Sequence, residues 1–263
     1  MKAIAVNFPD SDFPYSQLID QTAEACVIAR EAAAIAAESI ATRSEILLDS
    51  LREHDKRLDL VEIEIGTGVA AALTCIDGSE TQELLVCMKL ATGLKQITGL
   101  LVCIATRAQA VGFLDPRDAR DLIRMTAVLE KMLIQLRGAF SYRDAAKAAA
   151  VLQSESEMDR LQNLLAKRHL VGSDNAQVVS MANWLKEASS QAKTLAEAIC
   201  QFASGNKAFQ DLIARNKRVE REFLNWLKYR DSTACRSDLG SVRERTIRIQ
   251  IQPRFRTSRG IAR

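Results

Sequence analysis

Two stretches of the chain, residues 90–108 and 181–199, carry the same pattern of apolar residues 91 positions apart. In the first stretch the apolar residues recur at alternating spacings of four and three, at Leu90, Leu94, Ile97, Leu101, Ile104 and Ala108. In the second they recur in the same way, at Met181, Leu185, Ala188, Ala192, Leu195 and Ile199. This spacing puts apolar side chains on one face of a long helix, which must pack against other helices to leave water. The repeat therefore predicts two equivalent helical bundles in one chain.

A second pair of segments repeats at an offset of 100 positions. The first segment contains Asp55, Leu58, Asp59, Val61 and Ile65, and the second contains Glu155, Met158, Asp159, Leu161 and Leu165. Both carry two acids four residues apart beside apolar positions with helical spacing. Because this match involves different helices from the first, it supports a duplication of the whole bundle.

The composition of the 263-residue chain suits long helices rather than sheets. Hydrophobic residues make up 48%, enough for buried cores, while aromatics are 5% and only 4 prolines and 11 glycines occur. We expect an all-α chain with an irregular lead-in, two three-helix bundles, a further helix and a disordered basic tail, at residues 1–15, 16–112, 113–205, 206–231 and 232–263. The six bundle helices are predicted near residues 16–42, 44–72, 79–111, 116–136, 142–168 and 174–203.

The cysteines and the N-terminus predict a reduced, cytoplasmic protein. Six cysteines occur without a CxxC pair and mostly within apolar helical patterns, so they are expected to be core thiols. The N-terminus lacks the basic start and apolar run of a signal peptide, which argues against export. The apolar run that begins at Leu100 is interrupted by Arg107, so no segment is expected to reach membrane-spanning length.

The formal net charge of +3 is unevenly distributed. Residues 206–263 contain 15 Lys and Arg against 6 Asp and Glu, which leaves 21 basic and 27 acidic residues before them. Such a basic tail could contact nucleic acid or an anionic membrane, or it could be a solvated terminus, and both interpretations stay open. A structural helical bundle with a tail of this kind is the alternative function that the sequence allows.

These segments resemble the PhoU family of phosphate-uptake regulators, over roughly residues 16–205. The likeness lies in the acidic segment DKRLDLVEIEI at residues 55–65, its repeat ESEMDRL at residues 155–161, and the long third helix of each half. Where the family has Leu-Glu-Arg-Ile-Gly-Asp-Leu-Ala, the third helices read LKQITGLL at residues 94–101 and LKEASSQA at residues 185–192. The resemblance implies two tandem three-helix bundles.

In metal-containing members, the resemblance implies carboxylates four residues apart on neighbouring helices that hold multinuclear iron or similar ions. The spacing is reasonable because such residues share a helix face and acidic oxygens suit hard cations. The possible ligands for a divalent or iron ion in this chain are Asp55, Asp59, Glu155 and Asp159.

The third and sixth helices depart from the family pattern at their acid positions. They have Lys95 with Gly99 and Lys186 with Ser190, so each half loses one acidic pair and gains an ammonium group. For the remaining acids we favour exposed faces or salt bridges to these two lysines, because charged helix residues are usually exposed or paired. Metal binding is the next interpretation, and an anion such as phosphate held by the lysines is the third.

The sequence shows no catalytic motif, so we predict a protein that is not an enzyme. It contains no GxSxG, P-loop or GxGxxG, and His54 and His169 lack the partners of a zinc site. The resemblance implies a cytoplasmic negative regulator that binds the ATPase of the phosphate ABC transporter and a sensor histidine kinase. The residues expected to meet such partners are Asp55, Asp59, Glu62, Lys95, Glu155, Asp159 and Lys186, and a homodimer is a further expectation.

Overall fold

The computed structural model describes residues 13–73, 79–111, 114–169 and 176–203, all within Met1–Asp211. These residues form helices α1 (Phe13–Thr42), α2 (Glu45–Ala72), α3 (Ser79–Ala110), α4 (Pro116–Ser141), α5 (Ala145–His169) and α6 (residues 176–203), and they include no strand. The predicted further helix at 206–231, the basic tail and residues 1–12 of the lead-in lie outside the described residues. Helix α1 starts three residues before the predicted residue 16.

The helices pack as two tandem three-helix bundles, α1 to α3 and then α4 to α6. In the first bundle α1, α2 and α3 all contact one another, while in the second α4 packs on α5. Helix α1 also packs along α4, and Leu195 of α6 contacts α3 at Gly93, so the two bundles share an interface. The predicted division between residues 112 and 113 falls outside the described residues and stays a prediction.

The two halves bury the same positions. Helix α1 buries residues 18, 22, 25, 26, 28, 29, 32, 33, 36, 39 and 40, and α4 buries every one of these positions plus 100. In α3 and α6, all twelve residues of the predicted apolar stripes are buried. The stripes and their offset of 91 are therefore confirmed as the cores of equivalent bundles.

Small side chains explain how α1 can contact three other helices. Five of its buried positions are alanine, at Ala25, Ala29, Ala32, Ala33 and Ala36, whereas the same positions of α4 hold leucine or methionine. Alanine keeps side-chain volume low on the helix at the centre, so its neighbours can approach closely.

The first loop of each bundle follows the repeat as well. Arg43 and Arg143 both have positive φ angles, 56° and 49°, in the turns that separate the first two helices of each half. Their offset of 100 is the same as that of the surrounding helices. Because a positive φ ends a right-handed helix, each arginine stops one helix immediately before the next one starts.

The boundary between α4 and α5 differs from the sequence prediction. Helix α4 was expected to end near Leu136 but continues to Ser141, through Gly138 and the buried Ala139 and Phe140. The side chain of Lys147 fills the space beside Gly138, with its Cδ 3.0 Å from where a Cβ would lie. Helix α5 was expected from residue 142 but begins at Ala145.

The start of α4 agrees with its prediction. Pro116 occupies the first turn, and the side chain of the preceding Asp115 accepts a hydrogen bond from the backbone N–H of Arg117 at 2.7 Å. Proline lacks the N–H that a helix start leaves unpaired, and aspartate satisfies one of the others. These two residues therefore fix where the second bundle begins.

The expectation that no segment reaches membrane-spanning length was wrong for one helix. Within the described residues, Glu80–Ala110 is long and apolar enough to span a membrane by length and composition. Half of its most apolar window is buried inside the protein, including Leu94, Ile97 and Leu101. A core helix of a soluble bundle passes the same test, because its apolar residues face its neighbours rather than lipid.

Three of the four described cysteines are core thiols, as predicted. Cys26, Cys87 and Cys200 are buried, whereas Cys103 lies on the exposed face of α3. Burial raises the pKa of the Cys26 thiol to about 12 and that of Cys87 to about 11. These two thiols are therefore protonated and inert at neutral pH.

Candidate functional site

The first candidate site is a group of charged residues on α2 and α3, which we call the first acid–lysine cluster: Asp55, Asp59 and Lys95. The two aspartates lie one turn apart on α2, and the lysine reaches across from α3. Its Nζ lies 3.3 Å from Asp55 Oδ2 and also forms an ion pair with Asp59 Oδ1. The ammonium group thus bridges the two carboxylates.

The second acid–lysine cluster lies in the equivalent place on α5 and α6, and comprises Glu155, Asp159, Lys186 and Lys193. Lys186 Nζ lies 2.9 Å from Glu155 Oε1 and 2.6 Å from Asp159 Oδ1. Lys193 Nζ lies 2.5 Å from Glu155 Oε2. Both oxygens of Glu155 therefore accept from an ammonium group, one from each lysine.

The pairing changes the acidity of the groups in each cluster. Desolvation would raise the pKa of Glu155, but hydrogen bonds from Lys193 and Lys186 and their charges outweigh it, so the pKa is lowered. The hydrogen bond to Glu155 raises the pKa of Lys193 against an opposing desolvation effect. For Lys95, desolvation lowers the pKa, and the contacts with Asp59 and Asp55 more than reverse it. Glu155, Lys95 and Lys193 are therefore charged at neutral pH.

The two clusters differ at one carboxylate oxygen. Asp55 Oδ1 is buried and accepts no hydrogen bond, whereas the corresponding oxygen of Glu155 accepts from Lys193. At the offset of 91, the position of Lys193 is held by Val102 in the first half. A Cβ added to Gly99 would lie 4.0 Å from Asp55 Oδ1, at van der Waals contact, so Gly99 of α3 lies beside this buried oxygen.

The residues present do not suit the multinuclear metal centre that the resemblance implies. An ammonium group stands between the two carboxylates of each cluster, where a metal would need to reach them, and it would repel a cation. Among the described residues, no group of three or more His, Cys, Asp and Glu side chains is arranged to hold a metal. The structure thus has the salt bridges that the sequence favoured for these acids.

Glu62 and the two histidines lie outside both clusters. Glu62 is half-buried on α2, three residues beyond Asp59. The Nδ1 of His54 lies 2.8 Å from the carbonyl oxygen of Ser50. His169 Nε2 lies 3.1 Å from Asp118 Oδ2 at the far end of the second bundle. Neither histidine is brought to a cluster.

Sequence reasoning missed Lys193 although its position carried a signal. It follows Lys186 by seven residues, or two helical turns, so both lysines project from the same face of α6 toward α5. It also missed a group of ion pairs in the second bundle, in which the partly exposed Arg168 contacts the buried Asp118 at 2.6 Å and Asp121 at 2.7 Å. This group joins α5 to the first turns of α4, over a separation that no local spacing reveals.

Two solved structures share this architecture. The phosphate transport system regulatory protein PhoU from Streptococcus pneumoniae is similar with a TM-score of 0.68 at 16% identity, covering 75% of this chain and 98% of that one. PhoU from Pseudomonas aeruginosa is similar with a TM-score of 0.70 at 16% identity, covering 75% and 100%. No family model matches the sequence, and no curated protein matches it. The fold is therefore PhoU-like.

Proposed function

We propose that this chain is a regulator of phosphate homeostasis that works by binding other proteins, as a negative regulator of phosphate uptake and phosphate-responsive signalling. The observation that supports this most is the similarity of fold over nearly the whole length of two PhoU structures, one of them a phosphate transport system regulatory protein. The partners we propose are the ATPase of a phosphate ABC transporter and a sensor histidine kinase, which would place the chain in the cytoplasm.

The outer acids of the two clusters are the contact points that we propose. The side chains of Asp59 and Asp159 are 48% and 49% exposed, so each keeps about half of its surface available while a lysine pairs with it. They occupy equivalent positions in the two halves. A partner with two suitably spaced basic groups could therefore engage both halves, or two partners could each engage one.

The lysines give this surface a fixed geometry. Because Lys95 and Lys186 hold the acids against the neighbouring helix, less side-chain freedom is lost when a partner binds. Charged groups at the rim of an interface mainly set the rate of association and the choice of partner. Regulation would then follow from which partner occupies the surface, without a chemical step in this chain.

The test compares two double variants of the full chain. Asp59→Ala/Asp159→Ala removes the outer acids, and Glu53→Ala/Glu157→Ala removes two exposed acids from other faces of the same helices. We expect the first variant to raise a phosphate-responsive reporter in phosphate-replete cells and to lose the two partners in pull-downs, and the control variant to behave like the natural chain. Equal behaviour of both variants in both assays would contradict the proposed surface.

A second function has one sequence observation in its favour. The surplus of nine basic residues over 206–263, 15 against 6, would suit binding to nucleic acid or an anionic membrane. Its test compares the full chain with one lacking residues 232–263 for DNA and anionic-vesicle binding at increasing salt. Salt-sensitive binding that disappears with the tail would favour this function, and no binding by the full chain would exclude it.

A further inference from the structure

A groove of about 480 Å³ lies where the end of α1 meets the first turns of α4. Three arginines line it, Arg43 from the turn after α1 and Arg120 with Arg124 from α4. Between them the wall is apolar, with Ile40, Leu114 and Ile123. The groove shares no lining residue with the acid–lysine clusters, and it has a different chemistry.

The backbone places all three arginines along the groove. Arg120 and Arg124 are four residues apart, so they share the face of α4 that lines the groove. The positive φ of Arg43 turns its side chain toward the same end of the bundle, where its Nη1 donates to the carbonyl oxygen of Val111 at 3.4 Å. Arg43 therefore lines the groove together with the two arginines of α4.

The exposed arginines of α4 are not neutralised by acids among the described residues. Several other arginines of the described chain form ion pairs with acids, namely Arg30, Arg52, Arg57, Arg143 and Arg168. Arg120 and Arg124 form none with a described acid. Like charges in one groove repel, and a bound anion would remove that cost.

The duplication does not require this arrangement. The positions 100 residues away from the three arginines hold Arg143, Asp20 and Glu24, so the corresponding end of the other half has two acids where this groove has two arginines. There Arg143 pairs with Glu83 and Glu24 pairs with Arg57. The triple positive charge is therefore specific to the junction of α1 and α4.

We propose that this groove binds a small molecule with a phosphoryl group, such as a phosphate monoester. A phosphoryl dianion can accept bidentate hydrogen bonds from planar guanidinium groups and balances more of their charge than a carboxylate would. The volume lies within the range of small-molecule sites, and the apolar wall offers room for a group attached to the phosphate. The N-terminal end of α4 adds little to anion binding, because Asp115 already accepts a hydrogen bond from its first turn.

The proposal does not depend on the regulatory function, and calorimetry on the full chain tests it with three probes: AMP, inorganic phosphate and adenosine. We expect AMP to bind more weakly as salt increases, and adenosine, which lacks the phosphoryl group, not to bind. Binding of inorganic phosphate at an affinity similar to that of AMP would show that the phosphoryl group supplies the recognition, and stronger binding of AMP would show that the apolar wall contributes too. Both results support the site.

The variants connect binding to the arginines. Arg120→Gln/Arg124→Gln should weaken AMP binding at least about tenfold, because two charged hydrogen-bond donors are lost. Arg117→Gln, one turn away on α4 and outside the groove lining, should bind like the natural chain. All three side chains are exposed, so we expect both variants to fold, as circular dichroism would check. No binding of either phosphate probe at millimolar concentration, or equal binding by all variants, would overturn the proposal.

Discussion

The first and second acid–lysine clusters occupy equivalent places in the two halves, yet their carboxylates are paired to different degrees. In the second cluster both oxygens of Glu155 accept from lysines, whereas in the first the Oδ1 of Asp55 is buried without a hydrogen bond. The first cluster has two acids and one lysine, a formal charge of −1, and the second has two acids and two lysines, a charge of 0. The second cluster is therefore the fully paired version of the same arrangement.

This contrast shows which features two copies of a bundle keep. The buried positions of α1 and α4 agree throughout the repeat although their side-chain volumes differ, because each helix must keep an apolar face packed against its neighbours. Charged groups at a half-exposed surface contribute less to stability, so their number and pairing can differ between copies. We expect the halves to respond alike to changes in packing and differently to changes in charge.

The largest difference should come from removing the inner acid of each cluster. Glu155→Ala leaves Lys186 paired only with Asp159 and takes from Lys193 its carboxylate partner, so the free energy of unfolding should fall by about 2 kcal/mol. Asp55→Ala leaves Lys95 paired with Asp59 and should cost about 1 kcal/mol or less.

Urea denaturation at pH 7 measures both costs, with the exposed Glu157→Ala as the control that changes little. Equal costs for Asp55→Ala and Glu155→Ala would contradict the claim that the second cluster contributes more to stability than the first.

The stability supplied by Glu155 should depend on pH with a definite sign. Its folded pKa lies below the ordinary value of 4.5, so its ionised form stabilises the fold fully above pH 4.5, and this contribution is lost as the pH falls through the folded pKa. We expect Glu155→Gln to cost about 1.5 kcal/mol at pH 7 and progressively less below pH 4.5.

Urea denaturation of the two proteins between pH 7 and pH 3 checks this, and Lys193→Met, which weakens the pairing, should reduce the pH-dependent difference. A cost for Glu155→Gln that stays constant over the whole range would contradict the lowered pKa.

Replacing Val102 and Lys193 each by the residue of the other half should change the stability of the fold less, and in opposite directions. Val102→Lys places an ammonium group where the second half has Lys193, within the region of Asp55 Oδ1, and should stabilise the fold by about 0.5 kcal/mol. Lys193→Val removes one ammonium group from the second cluster and should destabilise the fold by about 1 kcal/mol.

Melting temperatures of the two variants give the comparison, and Thr106→Lys on the exposed face of α3 is a control for added charge. Destabilisation by both Val102→Lys and Lys193→Val would show that a second lysine cannot pair with Asp55 in the way that Lys193 pairs with Glu155.

Metal removal should have the smallest effect. Because Lys95 and Lys186 already supply the cations of the clusters, an excess of EDTA should leave the melting temperature unchanged. A metal present at one hundred times its dissociation constant would stabilise the fold by about 2.7 kcal/mol. A clear loss of stability in EDTA, restored by iron or another divalent ion, would show that metal binding coexists with the lysines.

The fold could be predicted from the sequence to a large extent, because the apolar repeat has helical spacing over long segments. The positions that form the core of α3 and α6 and the proline that starts α4 follow directly from local patterns. The C-terminal end of α4 does not follow from a local pattern, because glycine usually weakens a helix. The helix continues past Gly138 because Lys147 packs beside it and Phe140 is buried.

The candidate sites were less accessible to sequence reasoning. The pairing of Lys95 and Lys186 with acids could be expected from the sequence, because each lysine stands at an acid position of the family pattern that the third helices resemble. The arginine groove does not follow, since Arg43 lies 77 positions before Arg120 and only the packing of α1 on α4 brings them together. Residues joined across helices in this way have no shared local pattern.

The central claim is that a lysine of the chain itself serves as the cation that holds the acids of each cluster. A pair of double-mutant cycles tests it most directly, using Lys95→Met with Asp59→Ala in the first half and Lys186→Met with Asp159→Ala in the second. We predict a favourable coupling energy of about 0.5–2 kcal/mol in each half at low salt, decreasing as salt increases. A coupling energy of zero in both halves would contradict the claim.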